Sequence, residues 1–552
     1  MPGATMAKLK GFCYGLSPFL WGLWLVLVIW VCYQTRFWIN NDTLGSLDVA
    51  RSLRQMDWRQ AVNLHWGMVY AILLAFLPLG DASSWMQIHF LNGILLVGSQ
   101  LFLYLSLSLL GVRKSINTML CLAWGAANFA TGGAIFITSD VTLCFVGSLY
   151  IYALVRARTL ERITRCRCAL LLGLLHGLAW MTKNIAFIGL ASVPLMVSLK
   201  LILDSYGKLF LEKERLYRIL TFLVSYSLPI LLVMVVWGAG IKSKYGRFSW
   251  GDSGAYNYAY FVRHSPELHR SIEAARLRLP PYGTYWWSDI SLSLTGWDHQ
   301  SHFNLTDQIR TVFHNLKHFF SSLEIAQGAG ILCLLVLGLA GAPVVALRKT
   351  DYFFLILLLS SVFFFIFLMY LAVLFSSKYL PFPVMFLLPA GGLLAENIFQ
   401  TNNRPLKVLI SIMLAFCVLH GSGAMVYASL RLAPEGEHFA IAKFIRDSRG
   451  SNKNPGPIGA FLYPQANLFH HVVIAHLLNT KTAELHKIND NFSFSASFIP
   501  KIVLLVLAPD GAVPNSVEVN GKHFVRANSW VWGKLYKKNK LILYNPGEKL
   551  RK

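Results

Sequence analysis

The feature that most constrains this chain is a succession of apolar runs separated by short loops that carry basic residues. A helix rises 1.5 Å per residue, so crossing a hydrocarbon layer of about 30 Å takes roughly 20 residues. Runs of that length lie near 15–36, 88–110, 117–138, 219–240, 327–347, 352–376 and 408–430. Shorter runs near 140–155, 168–183, 184–200 and 379–397 need flanking residues to complete a crossing. Lipid leaves no partner for an unpaired backbone group, so such runs must be helices. The expectation is an all-α polytopic membrane protein with eleven transmembrane helices. The first run, Leu16 to Tyr33, is long enough to span and no early cleavage site follows it, so it reads as a retained helix. Trp66 to Leu79 is apolar too, but it ends at Pro78-Leu79-Gly80-Asp81, which suits a helix lying in the interface.

Orientation follows from the basic loops: Lys8/Lys10, Arg113/Lys114, Arg156 to Arg167, Lys208 to Arg218, Arg348/Lys349 and Arg404/Lys407. Lys and Arg collect on the cytoplasmic side, and with eleven crossings all these loops share one side. The amino terminus is then cytoplasmic. The connections 37–87, 139–140, 183–184, 241–326 and 377–378, and everything after 431, are external. A net charge of +24 on 552 residues raises the question of nucleic acid. That reading requires basic clusters on a soluble domain, whereas much of the Lys and Arg here lies in loops between spans, so nucleic acid is excluded as a partner.

Two modules are expected: a transmembrane module, 1–430, with external loops 37–87 and 241–326, and a C-terminal extracytoplasmic domain, 431–552. The tail alternates helix-like periodicity (Phe439, Ala442, Phe444, Ile445) with short apolar strands, Ile502 to Ala508 and Leu541 to Tyr544, which predicts a small α/β domain. The 241–326 loop is too long for a plain connector. All eight cysteines fall in spans or cytoplasmic loops, so no exported disulfide is expected, and the Cys166/Cys168 pair lacks the second pair that a zinc site needs.

The chemistry lies at the external helix ends. Asp42 follows the first span in "INNDTLGSLDVARSL", Asp140 opens the fourth in "FITSD", Lys183 closes the fifth in "WMTKN", and Lys378 begins the tenth in "SSKYL". At one membrane level, a carboxylate can take a proton from an acceptor hydroxyl, and a lysine can balance charge on a departing phosphate. That pairing suits glycosyl transfer from a sugar on a phosphorylated polyprenol.

In these motifs and their order, residues 15–430 resemble the membrane glycosyltransferases of the GT-C type, near the protein O-mannosyltransferases and the lipid A aminoarabinose transferases. The resemblance runs through Asp42, "ARSL" at 50–53, "NLHWGMVY" at 63–70, "TSDVTL", "GLLHGLAWMTKNIAF" and "SSKYLPFPVMFLLPAGGLLAE". It implies that Asp42 is the catalytic base, that Lys183 and Lys378 contact phosphate, that Asp140 is a second acid, and that His65, Tyr70 and Tyr379 line the substrate site. The loop "KYGRFSWGDSGAYNYAY" at 244–260 also resembles a segment of bacterial relatives, which makes Arg247 a further candidate for substrate contact. The donor implied is a polyprenyl-phosphate sugar. The acceptor is a hydroxyl of a lipid, a glycan or a protein.

Two positions depart from that pattern. Thr43 stands where many relatives have a second acid, leaving Asp48 and Asp57 as distant substitutes, so a divalent cation is disfavoured and no cofactor is required. Lys378 replaces an arginine, turning a bidentate phosphate grip into a point charge. Plainer readings stand beside each assignment: Asp42 and Asp140 also fit helix caps, the lysines also fit snorkelling from span ends, and His65 and Tyr70 also fit interfacial packing. The rival function is a transporter or flippase. Carriers keep ionisable groups mid-membrane and broken spans in matching halves, and neither is read here. An exported "NDT" at 41–43 would be a glycosylation site in a eukaryote, which points to a bacterial inner membrane.

Overall fold

Charged and turn-forming residues between the apolar runs determine where each helix stops. The computed structural model describes residues 2–36, 41–65, 67–78, 82–131, 138–204, 213–280, 285–294, 303–324, 329–347 and 352–432. Beyond these it describes 442–443, 445, 458–462, 482–484, 486–487, 493–495, 500, 502–507, 516–519, 522–532 and 539–546. In chain order the helices are α1 (Pro2–Gln34), α2 (Asn41–Arg54), α3 (Trp58–Ala61), α4 (Met68–Ala75), α5 (Ala82–Leu109), α6 (Lys114–Ala130), α7 (Ser139–Ala157) and α8 (Leu160–Ile163). Next come α9 (Cys166–Thr182), α10 (Ile185–Leu203), α11 (Lys213–Tyr245), α12 (Ser253–Asn257), α13 (Pro266–Arg276), α14 (Ile290–Ser293) and α15 (Leu305–Glu324). The series ends with α16 (Ala329–Leu347), α17 (Phe353–Ala372), α18 (Pro381–Met385), α19 (Leu388–Gln400) and α20 (Arg404–Leu432).

Seven of these, α1, α5, α7, α10, α11, α17 and α20, contain stretches long and apolar enough to cross a membrane. The chain is an integral membrane protein. The pair Ser377–Met385 and Leu388–Gln400 makes an eighth crossing if it counts as one span. The expected runs at 117–138 and 168–183 fall on α6 and α9, each 17 residues, and that at 327–347 on α16, of which Ala329–Val344 is a shorter apolar stretch. The pair from 377 to 400 bends by 65° at its break. Pro381, Pro383 and Pro389 each sit in the opening turn of α18 or α19, where a proline starts a helix but cannot continue the one before it. The stretch Trp66 to Leu79 holds α4, only 8 residues long and too short to cross.

The chain divides into two compact units: Met1–Gln34, His89–Gly238 and Asn304–Leu430 form the first, and Thr35–Ile88, Ala239–Phe303 and Arg431–Lys552 the second. In the first, small residues let helices approach closely, as lipid-immersed helices require. A side chain on Gly341 of α16 would collide with the Ala390 carbonyl of α19, and one on Gly421 of α20 would come within 2.6 Å of the Ala126 Cβ on α6. One buried set of polar groups ties four helices of the bundle together. Tyr150 and Tyr226 share a hydrogen bond of 2.9 Å, the Tyr226 hydroxyl lies 3.0 Å from Nδ1 of His176, and Nε2 of that ring donates to the Phe187 carbonyl at 3.0 Å, tying α7, α9, α10 and α11 together. His176 is thus structural.

In the second unit, α4 packs on α2. The strands of the tail, β1 (Ile458–Leu462), β2 (Thr482–Glu484), β3 (His486–Lys487), β4 (Ser493–Ser495), β5 (Ile502–Leu507), β6 (Ser516–Val519), β7 (Lys522–Trp532) and β8 (Asn539–Pro546), form one mixed sheet in the order β2-β1-β5-β8-β7-β6-β4-β3. The apolar runs foreseen at 502–508 and 541–544 are its neighbouring strands β5 and β8, paired antiparallel. Ala442 and Ile445 are buried, while Phe439 and Phe444 lie outside the described residues.

Candidate active site

Local chemistry places four of the foreseen residues together in the first unit. α7 begins at Thr138, whose hydroxyl accepts from the Asp140 amide and donates to Oδ2 of Asp140 at 2.9 Å, so the carboxylate is held at the helix entrance. α9 ends where Lys183 turns extended (φ −158°, ψ 122°), and the chain reverses through Asn184 into α10. That reversal presents the Lys183 ammonium to Oδ1 of Asp140 as an ion pair. The same ammonium stands 4.2 Å from the centre of the Tyr379 ring, and the Lys378 ammonium stands 5.1 Å from it. Lys378 is also within electrostatic reach of Asp140. Tyr379 in turn stacks on Tyr370 of α17, with centroids 4.9 Å apart and planes within 5°.

Asp140, Lys183, Lys378 and Tyr379 are therefore one cluster at the ends of α7, α9 and α17 and the start of α18. It holds two ammonium groups against one carboxylate. Two ammonium groups beside an aromatic ring are suited to an anionic head group. Thr138 and Tyr370 belong to the cluster and were not foreseen. Thr138 carries a readable cue, a threonine one residue before a helix start; nothing local marks Tyr370, which comes from a different span.

The other four lie in the second unit. Asp42 stands half-buried in the first turn of α2, and its carbonyl accepts from the Ser46 hydroxyl at 3.2 Å. A carboxylate there is favoured by the unpaired amides of the helix start. Tyr70 is fully buried in α4. His65 and Arg247 meet around Asp252: Arg247 is ion-paired with the Asp252 carboxylate, and the Asp252 amide donates to the Leu64 carbonyl at 2.9 Å. The His65 ring packs edge-on to Tyr256 at 5.5 Å, and Tyr256 stacks on Tyr260. Desolvation pushes the His65 imidazole down to about 4, with the Asp252 charge pulling the other way. Tyr256, like Arg247, is a candidate substrate contact in that loop from the sequence; Asp252 and the stacking of Tyr256 on Tyr260 were not read there.

Asp57 caps α3, accepting from the Gln60 amide at 3.0 Å, and Asp48 is buried, bonded to the Ser288 hydroxyl and 3.5 Å from the Arg51 guanidinium. Among the described residues no group of three or more His, Cys, Asp or Glu side chains could hold a metal ion.

No protein-family model matches the chain, and no curated protein matches it. Among solved structures it is similar to ArnT from Cupriavidus metallidurans bound to undecaprenyl phosphate, with 12% identity, 96% of this chain and 98% of that one covered, and a TM-score of 0.52. It is also similar to the Archaeoglobus fulgidus oligosaccharyltransferase in two structures. One is tethered to an acceptor peptide containing the NVT sequon (12% identity, 84% of this chain, TM-score 0.43), and the other is in complex with Zn and sulfate (11%, 88%, 0.49). The chain spans 64% and 68% of the length of those two. The likeness to ArnT shows the fold: it is that of the GT-C membrane glycosyltransferases, the class whose motifs the sequence resembles.

Proposed function

We propose that the protein is an inverting glycosyltransferase that moves a sugar from a polyprenyl-phosphate donor to a hydroxyl of a lipid, glycan or protein at the external face of a bacterial inner membrane. The observation that carries this reading is the gathering of Lys183, Lys378 and Asp140 around Tyr379 at the ends of membrane helices. The fold shared with ArnT, whose structure holds undecaprenyl phosphate, supports it. The reading takes eleven crossings, a cytoplasmic amino terminus and an external tail from 431 onward, as the basic loops require.

The reaction is a single displacement. Asp42 takes the proton of the acceptor hydroxyl, the acceptor oxygen bonds to the anomeric carbon, and the bond from that carbon to the phosphate oxygen breaks. The electron pair leaves with the polyprenyl phosphate, which gains one negative charge as it departs. Lys183 and Lys378 answer that gain, an interaction stronger in the transition state than with the bound donor. The role of Asp42 as base rests on the motif order, that of the lysines on the cluster.

The test uses purified Asp42→Asn protein in lipid with a panel of polyprenyl-phosphate sugars. Turnover is expected to be lost while insertion and thermal unfolding stay as in the unsubstituted protein, and the product is expected to show inverted anomeric configuration. Full turnover by the variant removes Asp42 from the mechanism. A retained configuration refutes direct displacement, and transbilayer movement of intact donor without sugar transfer favours the flippase.

A further inference from the structure

α15 belongs to the first unit and has three faces of different chemistry. One is buried: Thr311, Asn315 and Phe319 are each under a tenth exposed. From it the Gln308 amide donates to the Ala372 carbonyl, the Asn315 amide donates to the Leu371 carbonyl at 2.8 Å, and Phe319 packs edge-on to Phe367 and Phe375, both at 5.3 Å. Gln308 and Asn315 are seven residues apart, about 10 Å along α15, yet they bond to consecutive carbonyls of α17. Two helices running side by side would keep their contacts in step, so α15 crosses the end of α17. Because α17 is a candidate span, α15 runs close to the membrane plane.

The second face is apolar and uncovered: Leu305, Ile309, Phe313 and Phe320 are 62%, 49%, 68% and 57% exposed. With the half-buried Leu316 they occupy about 80° of the helix surface beside the buried face. The third face, the next 60° or so, holds Arg310, His314 and Lys317, all exposed. Arg310 is 3.7 Å from Asp307, but its side chain is 78% exposed, and such a pair holds the guanidinium weakly. Only four residues separate α15 from the apolar helix α16, five Cα steps with a reach of about 17 Å, so α15 ends close to that helix.

We infer that α15 is an in-plane interfacial helix that docks on phospholipid, with Leu305, Ile309, Phe313 and Phe320 among the acyl chains and the Arg310, His314 and Lys317 row on anionic headgroup phosphates. An apolar stripe flanked on its outer side by cations is the pattern of a helix at the boundary between chains and headgroups. The inference is independent of the glycosyltransferase reading, since none of these residues belongs to the lysine cluster.

The test uses the full chain in nanodiscs of equal parts phosphatidylcholine and phosphatidylglycerol, with photoreactive benzoylphenylalanine in place of Phe313. Crosslinks to lipid are expected, with phosphatidylglycerol preferred roughly fivefold, the factor for one basic side chain near an anionic surface. The Arg310→Gln/Lys317→Gln variant is expected to give the same total lipid yield with the preference gone. Crosslinks to protein alone, an equal partition between the two lipids, or a preference that survives the double substitution each overturn the proposal.

Discussion

Lys183 has two partners of opposite character, the Asp140 carboxylate and the face of Tyr379. On the proposed function, removing the lysine has two consequences, loss of a donor-phosphate contact and loss of the cation that compensates a buried carboxylate. A charge-assisted contact contributes about 1.5–3 kcal/mol, so Lys183→Ala is expected to lower kcat/KM for the polyprenyl-phosphate donor by roughly 10- to 100-fold and to lower the unfolding temperature. The pair Lys183→Met with Asp140→Asn separates the effects: the unfolding temperature should recover while kcat/KM stays low. Recovery of both would make the ion pair purely structural. Lys378→Arg should keep activity within a few fold, because a guanidinium restores a forked phosphate contact. These residues were legible in the sequence because each ends an apolar run, and a charge at such a place must be accounted for. Tyr370 was not, since a tyrosine near a span end is ordinary and its contact with Tyr379 depends on packing between α17 and the turn before α18.

Among elements, the segments of the second unit around α3, the end of α11 and α14 are held by a buried ion pair. The Lys244 ammonium, at the end of α11, lies 2.7 Å from Oδ2 of Asp289, and both side chains are almost wholly buried. Lys244 also donates to the Val62 carbonyl at 2.7 Å, and Tyr245 donates to Asp289 at 2.9 Å, so the segment after α3 and the start of α14 are drawn to the same point. Either single substitution, Lys244→Met or Asp289→Leu, strands a buried charge and should cost about 3–5 kcal/mol, seen as a lower unfolding temperature. The double substitution should cost much less than the two singles together. Additive losses would show that the ion pair is not coupled. His65 makes a second, pH-dependent contribution. Its folded value near 4 lies below the ordinary 6.5, so the unfolded chain binds the extra proton between those values. The stabilisation is complete above about pH 6.5 and falls away toward pH 4, by roughly 3 kcal/mol in all. Unfolding temperatures of the purified protein across that range should drop accordingly, and His65→Gln should flatten the profile. Residues 244 and 289 gave no sign of this pairing in sequence, because a contact between positions so far apart leaves no local period to read. The strands β5 and β8 were readable as short apolar runs, whereas their place beside each other was not.

On the scale of the whole molecule, the apolar periodicity made the membrane class and the helix positions readable, but it could not settle how many helices cross. Seven or eight pass on length and composition, and α6, α9 and α16 are the ones in question. α9 has 17 residues, about 25 Å of helix, a little short of the hydrocarbon layer. Local thinning of the bilayer and the exposed Arg165 and Arg167, which can extend to the headgroups, would make up the difference at modest cost. The parity of the count gives a decisive measurement. Eleven crossings put the two termini on opposite faces, whereas eight put them on the same one. Reporter fusions at Lys114 and Lys407 should be active only inside, and fusions at Gly251 and after Lys552 only outside. A carboxyl-terminal reporter active inside would make the number of crossings even. The sheet of the second unit would then face the cytoplasm, away from the external helix ends where Lys183 and Lys378 are assigned to meet the donor. Such a result would dismantle the proposed enzyme without disturbing the fold.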